Sequence, residues 1–255
     1  MTLCVAGLTD TGMKRAHNED FLFIPEEDRL VMVADGMGGH AAGDVASRLA
    51  VETVDEFFRA TGVEEDVTWP FAFDADNLRH ENRLVTGIKL ANLKIFETAQ
   101  RESSRQGMGT TMVAGFFCDE EVVLANVGDS RIYRIRDNKI RQLSEDHSLL
   151  NDYIKMKRLT VEDADRFPHK NVIVRALGMK DSVAVDIQRR QPQVGDTYLF
   201  CSDGLSGMIS DEEMLALVLK SHNDLDHACQ ELVDLANANG GTDNITVALV
   251  AMRAG

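Results

Sequence analysis

Short runs of apolar and β-branched residues recur along the chain and predict a set of β-strands. Several of these runs follow one another through links of hairpin length, most clearly between residues 111 and 143. Consecutive strands joined by short links favour antiparallel sheets over a doubly wound parallel sheet, in which strands alternate with helices. The predicted strands are residues 3–8, 30–34, 111–117, 122–127, 131–135, 197–201 and 245–252.

Three other stretches repeat apolar residues at intervals of three and four, which is typical of helices that bury one face. They are residues 42–59, 84–99 and 225–236. Between the first two, the polar segment 61–76 predicts a surface loop. We therefore expect an α+β protein with helices covering antiparallel sheets. Since no internal repeat or Pro/Ser-rich linker divides the chain, we predict one domain over residues 1–255.

The net charge of −15, from 27 basic and 42 acidic residues, argues against a nucleic acid or an anionic membrane as partner. The four cysteines are far apart in the sequence and predict free thiols in a reducing compartment. The chain contains neither a basic leader nor an apolar run long enough to span a bilayer. We expect a soluble, cytoplasmic protein without membrane insertion.

Residues 31–47, VMVADGMGGHAAGDVAS, run from an apolar strand into an acid, a glycine-rich turn and a predicted helix. The glycines match the GxGxxA pattern of dinucleotide-binding loops, and Asp55 follows at about the expected spacing of 20 residues. However, Asp35 would place a carboxylate against the pyrophosphate, and like charges repel unless a cation lies between them. A metal site at Asp35 is therefore the favoured interpretation.

The same arrangement of a strand, an aspartate and a glycine recurs at Asp129, Asp203 and Asp243. Each aspartate alone is an ordinary turn residue. In a sandwich of sheets, however, such strand ends can meet at one end. Each pair of carboxylates about 4 Å apart then costs on the order of 4 kcal/mol at a surface-like dielectric, and a divalent cation removes that cost. Oxygen ligands select Mg²⁺ or Mn²⁺, and a two-metal oxygen site indicates hydrolysis of a phosphate ester.

The segment DTGMKRAHNED, residues 10–20, adds a basic group to this set of acids. Arg15 lies near Glu19 and Asp20 in sequence, and a guanidinium is a natural bidentate ligand for a phosphate dianion. The alternative for an isolated arginine is an ordinary surface residue.

Eight motifs now stand in one order along the chain, and together they resemble the metal-dependent Ser/Thr protein phosphatases, the PPM or type 2C family, in their bacterial form. The resemblance extends from about residue 5 to residue 251. It implies a four-layer αββα sandwich of two antiparallel sheets flanked by helices. The motifs are RAHNED, DGMGGHAAG, GMGTT, VGDSR, DHS, RALG, CSDGL and GGTDNIT.

The resemblance also implies roles for the acids of the DGMGGHAAG, CSDGL and GGTDNIT motifs. Asp35 would bridge two metal ions, with the carbonyl of Gly36 as a further ligand. Asp203 and Asp243 would ligate the first of these ions. Two ions, Mn²⁺ or Mg²⁺, are therefore expected to bind tightly.

The resemblance implies roles for four further residues. Glu19 and Asp20 match positions that hold metals directly or through their waters. Asp129 matches the acid of a third, weaker site in bacterial members, shared with Asp203. Arg15 matches the arginine that binds the substrate phosphate.

Two parts of the chain depart from the family pattern. Animal members have a histidine after the DG pair, proposed as the general acid, whereas this chain has Met37 there and offers His40 instead. Two interpretations of His40 stand equally: it donates the proton, or it is an ordinary residue at the start of the helix. A flap is expected over roughly residues 144–190, where FPHKN (167–171) and MKRLT (156–160) differ from the usual bacterial stretches.

The function implied is hydrolysis of phosphoserine and phosphothreonine in proteins, opposing Ser/Thr kinases. Expected partners are phosphorylated proteins, including a Ser/Thr kinase and its substrates, and we expect a monomer. A non-catalytic relative would have lost Asp35, Asp203 or Asp243, and all three are present. A phosphatase dedicated to one partner, such as an anti-sigma antagonist, usually carries a sensory domain, for which this chain has no room.

Overall fold

Two antiparallel β-sheets packed face to face form the centre of the molecule, with helices on both outer surfaces. The computed structural model describes residues 1–24, 29–38, 42–63, 69–72, 74–118, 120–157, 159, 167, 172–221 and 224–255. The expected four-layer αββα sandwich is confirmed.

The first sheet has five strands, and at one edge it pairs the first strand of the described chain with the last. At one edge, β1 pairs with β11 along the whole of both strands, from Thr2 opposite Arg253 to Asp10 opposite Ile245. At the other edge lies β8. In spatial order the strands are β1 (Thr2–Asp10), β11 (Ile245–Arg253), β10 (Thr197–Cys201), β7 (Arg131–Arg136) and β8 (Lys139–Gln142).

The second sheet has six strands in the described ranges, and one of them is a two-residue strand that pairs with β3 beside the main order. In spatial order the main strands are β2 (Asp20–Phe23), β3 (Leu30–Met37), β5 (Met112–Phe117), β6 (Val122–Val127) and β9 (Asp186–Arg190), and the short strand is β4 (Gly109–Thr110).

Helices bury their apolar faces on the outer surface of each sheet. On the second sheet lie α1 (Gly43–Val63) and α2 (Arg79–Arg101), which a 3₁₀ turn (Ser103–Arg105) follows. On the first sheet lie α4 (Asp203–Ser206), α5 (Asp211–Lys220) and α6 (Leu225–Ala238). A further short helix, α3 (Leu149–Lys155), begins where Ser148 caps it by accepting a hydrogen bond from the Asn151 N–H.

The layer between the sheets is built from the inward side chains of both. Phe117 of the second sheet packs edge-on against Tyr198 and Phe200 of the first, with ring centroids 5.5 and 6.4 Å apart. These large apolar side chains are removed from water, and this burial is the main force that holds the two sheets together.

Each of the seven predicted strands overlaps an observed strand, and the three predicted helices are present. Four strands and three helices were not predicted: β2, β4, β8, β9, α3, α4 and α5. The first of these strands has only four residues, too few for a clear alternation. In contrast, α5 begins with a capping box, Ser210 with Glu213, a signal that was readable in the sequence. Helix α1 also continues to Val63, inside the segment predicted as a loop.

All four cysteines are free thiols, as predicted. Of the helices in the described ranges, none combines the length and apolar character that crossing a membrane requires.

The contact between the sheets can be tested at Gly115, where a Cβ would come within 2.5 Å of the Phe200 ring. Gly115→Ala should overpack this layer and lower the free energy of unfolding by about 1–3 kcal/mol. Phe200→Leu should lower it too, by leaving a void. In the double variant the added methyl group occupies that void, so the loss measured by urea denaturation should be smaller than the sum. Strictly additive losses would contradict this packing, and Val194→Ala at an exposed position serves as control.

Candidate metal and phosphate site

Strand pairing brings the predicted acids to one end of the sandwich. In the second sheet, Asp20 lies directly opposite Asp35. In the first sheet, Asp203 follows β10 and Asp243 precedes β11, and because these strands are antiparallel, the end of one meets the beginning of the other. Asp129 follows the end of β6.

These acids share one electrostatic field. Burial raises the pKa of the Asp35 carboxyl well above its usual value, and the charges of four other aspartates raise it further. Burial also raises the pKa of Asp203, as does the charge of Asp243, while a hydrogen bond with Asp35 opposes these effects. The four aspartates around Asp35 are Asp20, Asp203, Asp129 and Asp243.

Two of the acids have a buried oxygen with no hydrogen-bond donor in the described structure. Asp20 accepts a hydrogen bond from the Thr246 hydroxyl through Oδ2, at 2.7 Å, but its Oδ1 has no partner. Asp129 Oδ1 is likewise buried and unpartnered. Burial, followed by the charge of Asp203, raises the pKa of Asp129 to about 7, and burial raises that of Asp20 to about 7 despite its hydrogen bonds.

A hard divalent cation fits this donor set. Buried carboxylate oxygens without donors are costly in isolation, and a cation is the partner that removes both the desolvation cost and the mutual repulsion. All of the donors are oxygens, which Mg²⁺ and Mn²⁺ prefer. Within the described ranges, no three His, Cys, Asp or Glu side chains already surround one point as ligands. The structure therefore shows acids in electrostatic contact, not a closed cage.

Glycines beside the acids allow backbone segments to approach closely. A Cβ on Gly36 would lie 2.2 Å from the carbonyl oxygen of Gly43 and 2.4 Å from that of Glu19. A Cβ on Gly204 would lie 2.0 Å from the carbonyl oxygen of Asn244. Any side chain at either position would push apart the segments that carry the acids. This packing gives a reason for these glycines that the sequence analysis did not consider.

The side chain of Glu19, which precedes β2 in the sequence, contacts the N-terminus of α1. Its Oε1 accepts a hydrogen bond from the Gly43 N–H at 3.3 Å, and its backbone oxygen accepts one from the Ser47 hydroxyl at 2.6 Å. A carboxylate at a helix N-terminus is stabilised by the unpaired N–H groups of the first turn. Glu19 therefore positions α1 relative to the acids, whereas its neighbour Asp20 lies among them.

Arg15 lies in the connection between β1 and β2, on the solvent side of the acids. Its Nη2 is 2.6 Å from Oδ2 of Asp243, and this hydrogen bond is the main reason that the pKa of Arg15 is raised. The charges of Glu19 and Asp35 act in the same direction. Half of the Arg15 side chain remains exposed, at 50%, so an incoming anion can reach the guanidinium.

Asn244 is a residue whose role the sequence analysis missed. Its Nδ2 donates to the backbone oxygens of Thr11 and His17, both at 2.9 Å, and its Oδ1 accepts from the Glu19 N–H at 2.9 Å. Its own N–H donates to Oδ1 of Asp243 at 2.8 Å. One buried amide thus holds the loop that carries Arg15 against the turn that carries Asp243.

A cavity of about 440 Å³ opens beside the acids. Asp129, Asp203 and Asp243 line it together with the ion pair of Arg131 and Asp146. Arg131 Nη2 lies 2.7 Å from Asp146 Oδ2, and its Nε contacts both carboxylate oxygens. This ion pair forms another part of the cavity wall.

His147 holds the turn before Asp129. Its Nδ1 accepts a hydrogen bond from the Gly128 N–H at 2.9 Å, so the ring proton lies on Nε2, which donates to Asp186 at 3.1 Å. Burial lowers the pKa of His147, which keeps the ring neutral and this tautomer in place. The histidine of the DHS motif is therefore a positioning residue for Asp129.

The proposed general acid, His40, lies outside the described residues. Most of the divergent flap stretch does too, including residues 168–171. The described part of residues 144–190, the segment predicted as a flap, includes α3, β9 and residues that line a cavity with His147, Arg175 and Asp186.

A family model and individual relatives assign the chain to the same family. Residues 13–247 match the family model described as protein phosphatase 2C. The chain is 42% identical over 249 residues to a protein of Listeria welshimeri named serine/threonine phosphatase stp, covering 95% of this chain and 93% of the relative.

Solved structures agree with this result. The serine/threonine phosphatase of S. agalactiae superposes with a TM-score of 0.87 at 34% identity, covering 99% of this chain and 100% of that one. The catalytic domain of the phosphatase PstP, solved with two manganese ions, has a TM-score of 0.81 at 32% identity and covers 99% of both chains.

The raised pKa of Asp129 makes the stability of the metal-free protein depend on pH. Because the folded-state pKa of about 7 exceeds the ordinary value of 3.8, ionisation of Asp129 destabilises the fold. This penalty is absent below about pH 4 and complete above about pH 7. In EDTA, Asp129→Asn should therefore become more stable than the wild type as the pH rises from 5 to 8, by on the order of 2–4 kcal/mol.

Urea denaturation at pH 5 and pH 8 measures this difference. Asp234→Asn removes the same charge from the exposed face of α6 and serves as the matched control. If Asp129→Asn and the wild type change in parallel with pH, Asp129 does not carry the predicted penalty.

Proposed function

This chain belongs to the protein phosphatase 2C family, and we propose that its cluster of five aspartates binds the catalytic ions and that Arg15 binds the phosphate. As a member of this family it is a metal-dependent Ser/Thr phosphatase that acts on phosphorylated proteins. The observation that carries this proposal is the pair of buried, unpartnered oxygens on Asp20 and Asp129 within the field of the other acids. Such oxygens suit a cation and serve no visible structural purpose.

We assign the ligands by their position in this cluster. The charges of the four other aspartates all act on Asp35, so Asp35 would be the residue that both ions share, with the Gly36 carbonyl as a further ligand. Asp203 and Asp243 would hold the first ion. Asp20 would hold the second, and Glu19 would act through water because its carboxylate is bound to α1. When bound, the two ions would activate a water nucleophile and neutralise charge on the phosphoryl oxygens.

A third, weaker ion is assigned to Asp129 and Asp203. The charge of Asp203 is the principal charge that raises the pKa of Asp129, and both residues line the 440 Å³ cavity. We propose Mn²⁺ or Mg²⁺ in all sites, and the two manganese ions of the PstP structure support the first choice.

Arg15 would exchange its present partner for the substrate. A phosphate dianion offers the guanidinium more acceptor oxygens than the Asp243 carboxylate does, and it can be held bidentately. Releasing Asp243 from Arg15 also leaves that carboxylate free for a cation. His40 would give a proton to the leaving serine or threonine oxygen.

The proposal also covers the domain organisation, the cellular compartment and the oligomeric state. We propose that residues 1–255 act as a single catalytic domain that opposes a Ser/Thr protein kinase in the cytoplasm, where the four free thiols would stay reduced. The net charge of −15 disfavours self-association and supports a monomer.

Metal dependence is tested with p-nitrophenyl phosphate. Hydrolysis should require Mn²⁺ or Mg²⁺ and stop in EDTA, while Asp35→Asn and Asp203→Asn should each abolish it and leave the circular dichroism spectrum unchanged. Asp129→Ala should lower turnover but keep tight binding of two ions in calorimetry. Full turnover in excess chelator would refute the metal assignment, and loss of all binding in Asp129→Ala would refute the third site. Asp234→Asn should behave as the wild type.

Arg15 and His40 are separated by comparing two substrates. Arg15→Ala should raise KM for a phosphoserine peptide and for p-nitrophenyl phosphate alike, because both present the same phosphoryl group. His40→Ala should lower kcat for the peptide by roughly 100-fold and hardly change it for p-nitrophenyl phosphate, whose leaving group needs no proton. Equal losses on both substrates would show that His40 is not the proton donor.

A further inference from the structure

The hairpin of β7 and β8 carries an unusual charge. Its two strands are joined by a two-residue turn, Asp137 and Asn138, both with positive φ, of 51° and 56°. The hairpin sequence RIRDNKIR holds four cations and one acid, although the whole chain has a net charge of −15. We call these four cations the basic hairpin face: Arg134, Arg136, Lys139 and Arg141.

The four cations point to the same side of the sheet. Arg134 is directly opposite Arg141, and Arg136 is directly opposite Lys139. Residues opposite one another in antiparallel strands share a face, and like charges in this position destabilise the sheet. The hairpin thus keeps an arrangement that its own folding disfavours.

Only one of these cations is neutralised within the described structure. Arg136 forms a bidentate pair with the buried Asp196, with both contacts at 2.5 Å. Across the described ranges, Arg134, Lys139 and Arg141 form no ion pair, and the Nε of Arg134 is buried without an acceptor. The basic hairpin face surrounds a cavity of about 360 Å³, which Asp137 and Ile140 also line.

Protection of a sheet edge does not explain the whole face. Charges on an edge strand prevent pairing with other chains, and β8 is the edge strand of the first sheet. That purpose needs charges on β8 only. Arg134 and Arg136, however, lie on β7, which is paired on both sides.

We propose that the basic hairpin face is a docking surface for an acidic segment of the phosphoprotein substrate, separate from the residue that is dephosphorylated. This inference rests on the function proposed above. Unpaired guanidinium and ammonium groups fit carboxylates, and the free edge of β8 offers backbone hydrogen bonds to an extended segment. A long nucleic acid would meet the repulsion of the whole acidic molecule, whereas a short acidic segment meets mainly the local positive field.

The position of the face sets the spacing of such a segment. Strand β7 begins with Arg131, beside Asp129, and the Arg134 and Arg136 positions lie three to five residues further along it. At about 3.3 Å per residue this is roughly 10–17 Å from the acid cluster. A substrate therefore needs several residues between its phosphorylated side chain and its acidic segment.

Two phosphothreonine peptides test the proposal, one with an acidic tail after a ten-residue Gly/Ser spacer and one with a neutral tail. For the wild type, the acidic tail should lower KM by roughly three- to tenfold without changing kcat, and this advantage should disappear at high salt. Lys139→Gln/Arg141→Gln should lose the advantage while hydrolysing the neutral peptide normally. Lys94→Gln/Arg101→Gln removes the same charges from α2 and should retain it.

Equal KM values for the two peptides with the wild type, or an advantage that survives in Lys139→Gln/Arg141→Gln, would overturn the proposal. Fluorescence anisotropy with the unphosphorylated acidic peptide measures docking without catalysis, so a failure of the phosphatase assignment would not be confused with a failure of docking. Equal or tighter binding of a single-stranded oligonucleotide of the same charge, lost in the same variant, would show a general polyanion site and refute the acidic-segment assignment.

Discussion

The repulsion among buried carboxylates at one end of the sandwich is the constraint on which the other features of this molecule depend. Asp35 lies in the field of four further aspartates. Burial makes the ionised forms of Asp35, Asp20, Asp129 and Asp203 less stable. A fold can hold such a group only if its packing elsewhere is strong and a cation offsets the charge. The apolar layer between the sheets provides the first condition, and the unpartnered oxygens of Asp20 and Asp129 indicate the second.

Rigid local structure then keeps the acids close in spite of their charge. The amide of Asn244 joins the Arg15 loop to Asp243, and the neutral ring of His147 fixes the turn that precedes Asp129. The lack of a side chain at Gly36 and Gly204 lets the backbone segments that carry the acids stay in contact. The site is therefore preorganised by neutral hydrogen bonds and by backbone contact, neither of which weakens when the acids ionise.

The sequence predicted much of this because the acids follow a repeated local pattern. Asp35, Asp129, Asp203 and Asp243 each lie near a strand end with a glycine one or two positions away, and strand ends are readable from apolar runs. The pairing of Asp20 with Asp35 was less accessible, because β2 is too short to show a period. The roles of Asn244 and His147 could not be predicted at all, since each depends on hydrogen bonds to residues distant in the sequence. The place of the Glu19 side chain likewise depends on where α1 begins in space.

The pairing of β1 with β11 has a consequence for how the molecule is made. Within the part of the chain that the structure describes, residues 2–10 pair with no strand other than 245–253. During synthesis β1 therefore stays unpaired until β11 has left the ribosome. Contacts of such long sequence separation slow folding, because closing the loop costs entropy before any contact is gained. The waiting strand also exposes an unpaired edge. The nascent chain of this enzyme is therefore open to aggregation, and inactive as a phosphatase, until β11 has been synthesised.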